Sequence, residues 1–250
     1  MVHAPTSGQQ FDKIRNGISI PRLNPYDSAA DGNQSLSLDL YRYNLDLSAA
    51  FYELIGLVEV VLRNALNDRL SNTYGSNWFS NHELFDDRTL REFERCWRYS
   101  GLPNGVTGST ISNGKFISRL SFGTWTNLLD AGGYQGKEPT RFKCDYENLF
   151  WRPCLHSAFP NSIGTRKPIY LRASQIQMIR NRVAHHEPLL WGFVDRTSNR
   201  DRVSVTKAHS LILEFADLMD SDIGNWLRTD DKIHLLLKAV PKGVSGLLVE

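Results

Sequence analysis

The run Arg180-Asn181-Arg182-Val183-Ala184-His185-His186-Glu187-Pro188 gathers arginines, an asparagine and a pair of histidines into one short segment. A neutral imidazole accepts a proton at about pH 7. A guanidinium offers a fork of N–H donors that matches phosphate oxygens. Together they suit cleavage of an RNA phosphodiester: the imidazole takes the 2′-hydroxyl proton, and the guanidinium stabilises the extra negative charge of the phosphorane. Asn181 can orient the imidazole or a phosphate oxygen. The attacking oxygen comes from the RNA itself, so the chemistry calls for no metal and no cofactor. DNA would be inert, and the product would carry a 2′,3′-cyclic phosphate.

The blander alternative is that the segment is structural. A protonated histidine suits the negative end of a helix dipole. Arginine followed by histidine at such spacing also recurs by chance: Arg202 with His209 and Arg228 with His234 repeat it. A metal on the histidine pair would need further ligands, and no other His or Cys lies close by in sequence.

Helix geometry constrains how the segment can work. Ile176, Ile179 and Val183 give it an apolar face, and Pro188 disfavours helical backbone at Glu187. The helix should therefore end at the histidines. Arg180 and His185 then lie about 140° apart around the axis, whereas Asn181 with His185 and Arg182 with His186 share faces. Either the chain unwinds at His185, or two copies of the segment meet across a two-fold dimer and each supplies part of the site. The second arrangement is preferred. A further charged pair, Glu59 and Arg63, sits four positions apart amid Val58, Val60, Val61 and Leu62, with Asn67 continuing the stripe. Charges in apolar surroundings must be paired. They are either a structural ion pair or a support for the Arg180–His186 segment, with Glu59 fixing a histidine tautomer or positioning an arginine.

Helices must position these groups. Apolar residues recur every three or four positions from Leu36 to Asn72 without a proline, which predicts one long helix stopped at Tyr74-Gly75. Similar periodicity predicts helices over 11–24 (ending near Pro21 and Pro25), 86–99, 115–130, 170–186, 206–228 and 231–239. Loops are expected over Tyr26–Gln34 and Gly101–Gly114. Residues 134–168 are mixed, and Val203–Val205 is a candidate short strand. The fold expected is an all-α bundle: one domain over 11–240 with a loop-rich middle insertion, preceded by a flexible 1–10.

Composition narrows the setting. The formal charge of +2 leaves no global basic excess, so any nucleic-acid footprint must be local. Arginine outnumbers lysine, 20 to 9, which favours bidentate phosphate contacts or reflects codon bias. Three widely spaced cysteines, Cys96, Cys144 and Cys154, fit a reducing compartment. The N-terminal residues lack a signal-peptide core, and the most apolar stretch, Leu54–Leu62, falls short of a membrane span. A soluble, cytoplasmic protein without membrane contact is expected.

Several motifs, taken in order, resemble one family. Tyr41-Arg-Tyr-Asn-Leu-Asp-Leu-Ser-Ala-Ala-Phe51 with Val58-Glu59-Val-Val-Leu-Arg63-Asn64-Ala-Leu66 resembles the first long helix of Abi-like (abortive-infection) proteins. Gly75-Ser-Asn-Trp78 resembles the turn after it. Ser118-Arg-Leu-Ser-Phe122-Gly123-Thr-Trp125-Thr-Asn-Leu-Leu129 resembles the family's central motif, and Arg180–Pro188 its closing one. The resemblance spans about residues 18–190 and implies a HEPN-like helical bundle, usually dimeric and often a metal-independent ribonuclease. It implies Arg180 and His185 (or His186, whose spacing also fits) as the catalytic pair and Asn181 as the polar residue between them. Arg182, His186, Glu59 and Arg63 become supporting or substrate-binding groups. It implies RNA as substrate, a homodimer, a role in phage defence or as a toxin, and an antitoxin or regulatory partner. The other reading is a non-catalytic HEPN module that binds RNA or senses a partner.

Overall fold

The computed structural model describes residues 8–99, 113–198 and 201–250. Most of them are helical. In chain order the elements are α1 (Gly8–Ile18), α2 (Ile20–Ala29), α3 (Gln34–Tyr74), α4 (Asp87–Tyr99), α5 (Asn113–Ile117), α6 (Phe122–Leu128), β1 (Tyr134–Gln135), β2 (Phe142–Lys143), α7 (Arg166–Ala184), β3 (Phe193–Val194), β4 (Arg202–Val203), α8 (Val205–Met219), α9 (Ser221–Thr229) and α10 (Lys232–Leu237). The strands form two antiparallel hairpins, β1 with β2 and β3 with β4.

The long helix forms for the reason its sequence predicts. Leu47, Phe51, Leu54, Val58, Leu62, Leu66 and Leu70 recur on one side of α3, and all are buried. Gly75 ends it in a left-handed turn with φ +85°, its N–H returning to Ser71 at 3.0 Å.

The chain packs as two compact units. One comprises Met1–Glu53, Ile179–Ser210 and Asp230–Glu250, the other Leu54–Met178 and Leu211–Thr229. In the first, Tyr26 stands edge-on to Tyr41 and Trp191, each 5.3 Å between ring centres. Phe51 meets Phe193 at 6.0 Å. Asn44, buried between Leu40 and Leu47, accepts the Leu189 N–H at 2.7 Å. The last residues close the unit, with Leu248 N–H bonded to the Leu190 carbonyl at 2.8 Å.

The second unit has an aromatic core. Trp78 packs 5.9 Å from Phe93 and 6.1 Å from Trp125, and its indole N–H donates to Asn67 at 3.0 Å. Phe85 stacks on Phe150 at 5.4 Å. The Ser121-Phe122-Gly123 step packs closely: Phe122 and Trp125 are buried, and a side chain at Gly123 would come within 2.7 Å of Gln177. Asp86 is the polar hub. Its carboxylate accepts the N–H of Thr89 and of Gly133, each at 2.8 Å, and its own N–H donates to the Tyr146 hydroxyl at 2.9 Å. Burial raises the Tyr146 pKa, which keeps that hydroxyl in its neutral form.

Several expected elements differ. The helix expected over 115–130 is two, α5 and α6, because Ser121 takes extended backbone (ψ 159°) and caps α6, accepting the Thr124 N–H at 3.3 Å. The helix expected over 206–228 breaks at Asp220, whose carboxylate accepts the N–H groups of Asp222 at 2.8 Å and Ile223 at 3.2 Å. The expected loop from Tyr26 is helical through Ala29: Pro21 occupies the first turn of α2, where its missing N–H has no cost, and the helix continues through Pro25. The strand expected over Val203–Val205 pairs as Arg202–Val203, and Val205 opens α8. Residues 1–7 of the expected flexible terminus and 101–112 of the expected loop lie outside the described residues.

Candidate functional site at the end of helix seven

The end of α7 is fixed by packing on one side and by backbone hydrogen bonds at the tip. Ile176, Ile179 and Val183 are buried, which anchors the final turns. His185 N–H still reaches the Asn181 carbonyl at 2.9 Å. Beyond it the chain reverses: His186 N–H bonds to the Val183 carbonyl at 3.1 Å, and Glu187 N–H to the Arg182 carbonyl at 2.9 Å. These paired bonds, with His186 at φ +55°, make a Schellman turn. Glycine usually holds that position because a side chain is strained there. Pro188 follows, so the helix does not continue.

The turn exposes both histidines. His185, His186 and Asn181 are exposed, and Arg180 is half-buried one turn earlier. Among the described residues, the side chains of Arg180, Asn181, His185 and His186 take part in no hydrogen bond or ion pair.

Arg182 is arranged differently. Its Nε donates to Glu187 at 3.1 Å and one terminal nitrogen to the Gly192 carbonyl at 2.6 Å; the other donates to the Pro188 carbonyl. Its guanidinium lies 5.4 Å over the Phe193 ring. Burial lowers its pKa, the charge of Glu187 opposes that, and Arg202 adds to the lowering. Arg202 reinforces the same loop, donating to the carbonyls of Trp191 at 2.6 Å and Gly192 at 2.8 Å. Arg22 donates to the His186 carbonyl. Arg182, Arg202 and Arg22 therefore hold the turn and the loop after it by their carbonyls and leave the imidazoles outside.

Glu59 and Arg63 belong to the second unit and are half-buried on α3. Arg63 donates to the Ser118 carbonyl at 3.5 Å, and its buried Nε has no hydrogen-bond partner among the described residues. His209, which the Arg202 spacing would pair with that arginine, lies 3.1 Å from Asp231 instead.

Sequence reasoning missed Arg22, Arg202 and Asn44 as parts of this framework. Asn44 carries a signal, being a polar residue on the apolar side of α3. Arg22 and Arg202 carry none, because long flexible side chains reach partners that spacing does not reveal.

Among the described residues no cluster of three or more His, Cys, Asp or Glu side chains is placed to hold a metal ion. The three cysteines form no disulfide and are buried, and burial pushes the Cys144 and Cys154 thiols up. No described helix is long and apolar enough to cross a membrane.

The strain at His186 is testable. His186→Gly should stabilise the protein by about 1 kcal/mol, read from its denaturant midpoint, because glycine adopts the left-handed conformation freely. A destabilised variant would show that the imidazole itself holds the turn.

Comparison of the chain with protein-family models, with curated proteins and with solved structures gives no match.

Proposed function

We propose that this protein is a HEPN-type, Abi-like endoribonuclease that cleaves RNA without a metal, in the cytoplasm, in phage defence or as a toxin held by a regulatory partner. The observation that carries the reading is the contrast at the end of α7. Arg182 is engaged in bracing the turn, while the side chains of Arg180, Asn181, His185 and His186 beside it have no partner among the described residues. A braced turn with exposed reactive groups is what pre-organised acid–base chemistry needs.

In this reading His185 removes the 2′-hydroxyl proton, and that oxygen attacks the adjacent phosphorus. Arg180 donates to the non-bridging oxygens as their negative charge grows. The 5′-oxygen of the next nucleotide leaves and takes a proton. Asn181 orients the phosphate or the imidazole, and His186 is the alternative base. Glu59 and Arg63 are supporting groups. The angular separation of Arg180 and His185 on a helix that stays intact to Ala184 favours a site shared between two copies of the chain.

The purified protein, incubated with single-stranded RNA in EDTA, should produce fragments ending in 2′,3′-cyclic phosphate and leave DNA of the same sequence intact. Cleavage that EDTA abolishes, or fragments with 5′-phosphate ends, would replace this reading with metal-dependent hydrolysis. Tight RNA binding without cleavage would instead favour the non-catalytic module.

A further inference from the structure

The second unit contains a cleft of about 530 Å³ under the β1–β2 hairpin, a size that suits small ligands. Its floor is built rather than incidental. Asp86, 1% exposed, ties Thr89 and Gly133 together, as described above. Gly132, at φ +80°, has no room for a side chain: a Cβ there would meet the Cys144 carbonyl oxygen at 2.0 Å.

The charges lining the cleft sort by depth. Four acids and four bases contribute, so the cleft as a whole is neutral. Three of the acids lie low: Asp86 is buried, and Asp87 and Asp130 are half-buried. Arg88 bridges Asp130 at 2.9 Å and Asp86 at 3.3 Å, occupying the place a cation would take between them. Asp87 accepts the Gly136 N–H at 3.2 Å. At the mouth the exposed charges are Arg91, Lys137 and Arg141 against Glu138 alone. The cleft therefore turns a positive rim to solvent.

The rim also carries an aromatic platform. Tyr134 is 50% exposed, and the Arg141 guanidinium lies 4.1 Å over its ring. Cross-strand pairing sets Lys143 opposite Tyr134. A planar cation stacked on a half-exposed tyrosine is a surface on which an unpaired base can stack, and nearby cations meet its phosphate. A base already stacked in a duplex could not use it.

We propose that this cleft binds a nucleotide unit, with the base stacked on the Tyr134–Arg141 pair and the phosphate held by Arg91 and Lys137. The same chemistry would come from a free nucleotide or from one residue of a single strand. The inference does not depend on the cleavage reading, since binding is measured on a strand that cannot be cleaved.

The probe is a short fluorescent 2′-O-methyl oligoadenylate, which lacks the attacking hydroxyl, with AMP as competitor. Tyr134→Ala should weaken binding by about tenfold, while Tyr134→Phe retains it. The Arg91→Ala, Lys137→Ala double variant should also weaken it. Its salt dependence should flatten by about 0.7 in log–log slope for each phosphate that the two cations neutralise in the wild-type protein. Tyr134, Arg91 and Lys137 are solvent-accessible at the rim, and an unchanged melting temperature verifies that each variant folds. AMP that displaces the probe through the same residues identifies a free nucleotide as a sufficient ligand. Binding of the strand alone, with the same sensitivities, identifies the strand. Unaltered affinity and salt slope in both the Tyr134→Ala and the double variant would overturn the proposal, as would failure of the wild-type protein to bind either probe. A protein that binds through Tyr134 yet cleaves no RNA would sustain this inference and remove the nuclease reading.

Discussion

His185→Ala is expected to lower RNA cleavage by a factor of about 10² to 10⁴, the range that a positioned acid–base group contributes. The fold should be unaffected, because the imidazole is exposed and the turn is held by backbone bonds and by Arg182, not by His185. Arg180→Ala should bring a comparable loss by removing the cation opposite the developing phosphorane charge. The pair of variants also tests whether the site is shared. If each site takes Arg180 from one copy and His185 from the other, an equal mixture of the two inactive variants should regain roughly a quarter of wild-type activity. Half of the dimers are then mixed, and each of these restores one of two sites. A mixture as inactive as its components would place both groups within one copy. Full activity in His185→Ala with loss in His186→Ala would move the base by one residue.

The second large effect concerns stability. Asp86→Ala should lower the free energy of unfolding by about 3 kcal/mol, measured by denaturant titration. The carboxylate caps α4 through the Thr89 N–H, a bond whose loss costs about 1 kcal/mol. It also satisfies the Gly133 N–H, and an orphaned buried donor costs about 1–3 kcal/mol. Arg88 would lose one of its two carboxylate partners. Asp86→Asn keeps the shape but replaces one acceptor oxygen by a donor, so an intermediate loss is expected. A change below about 0.5 kcal/mol for the alanine variant, the scale of an unimportant surface substitution, would show that the hub is dispensable.

What spacing reveals and what it conceals can be traced to particular residues. The long helix was legible almost to its ends, expected over Leu36–Asn72 and found over Gln34–Tyr74, because its buried leucines follow the helical repeat without interruption. The stop at the histidines was legible from Pro188, and α7 ends at Ala184. The breaks before Phe122 and at Asp220 were not legible as breaks. The apolar repeat continues across both, and a serine or aspartate caps a helix only where its carboxylate or hydroxyl wins the local N–H groups from the helix ladder.

The same division runs through the candidate site. The amino-acid order by itself determined the helical character of the chain, the end of α7 at its histidines, and the chemical content of Arg180–His186, since each depends on local repeat, proline sterics or residue type. Only the tertiary structure decided that Arg182 braces the loop while Arg180 has no partner among the described residues, that His186 takes the left-handed position, and that Asp86, Arg88 and Gly133 build a cleft under a hairpin. Those outcomes rest on which carbonyl or carboxylate a long side chain reaches among partners far away in sequence, and on which backbone groups are left unpaired once the core has packed.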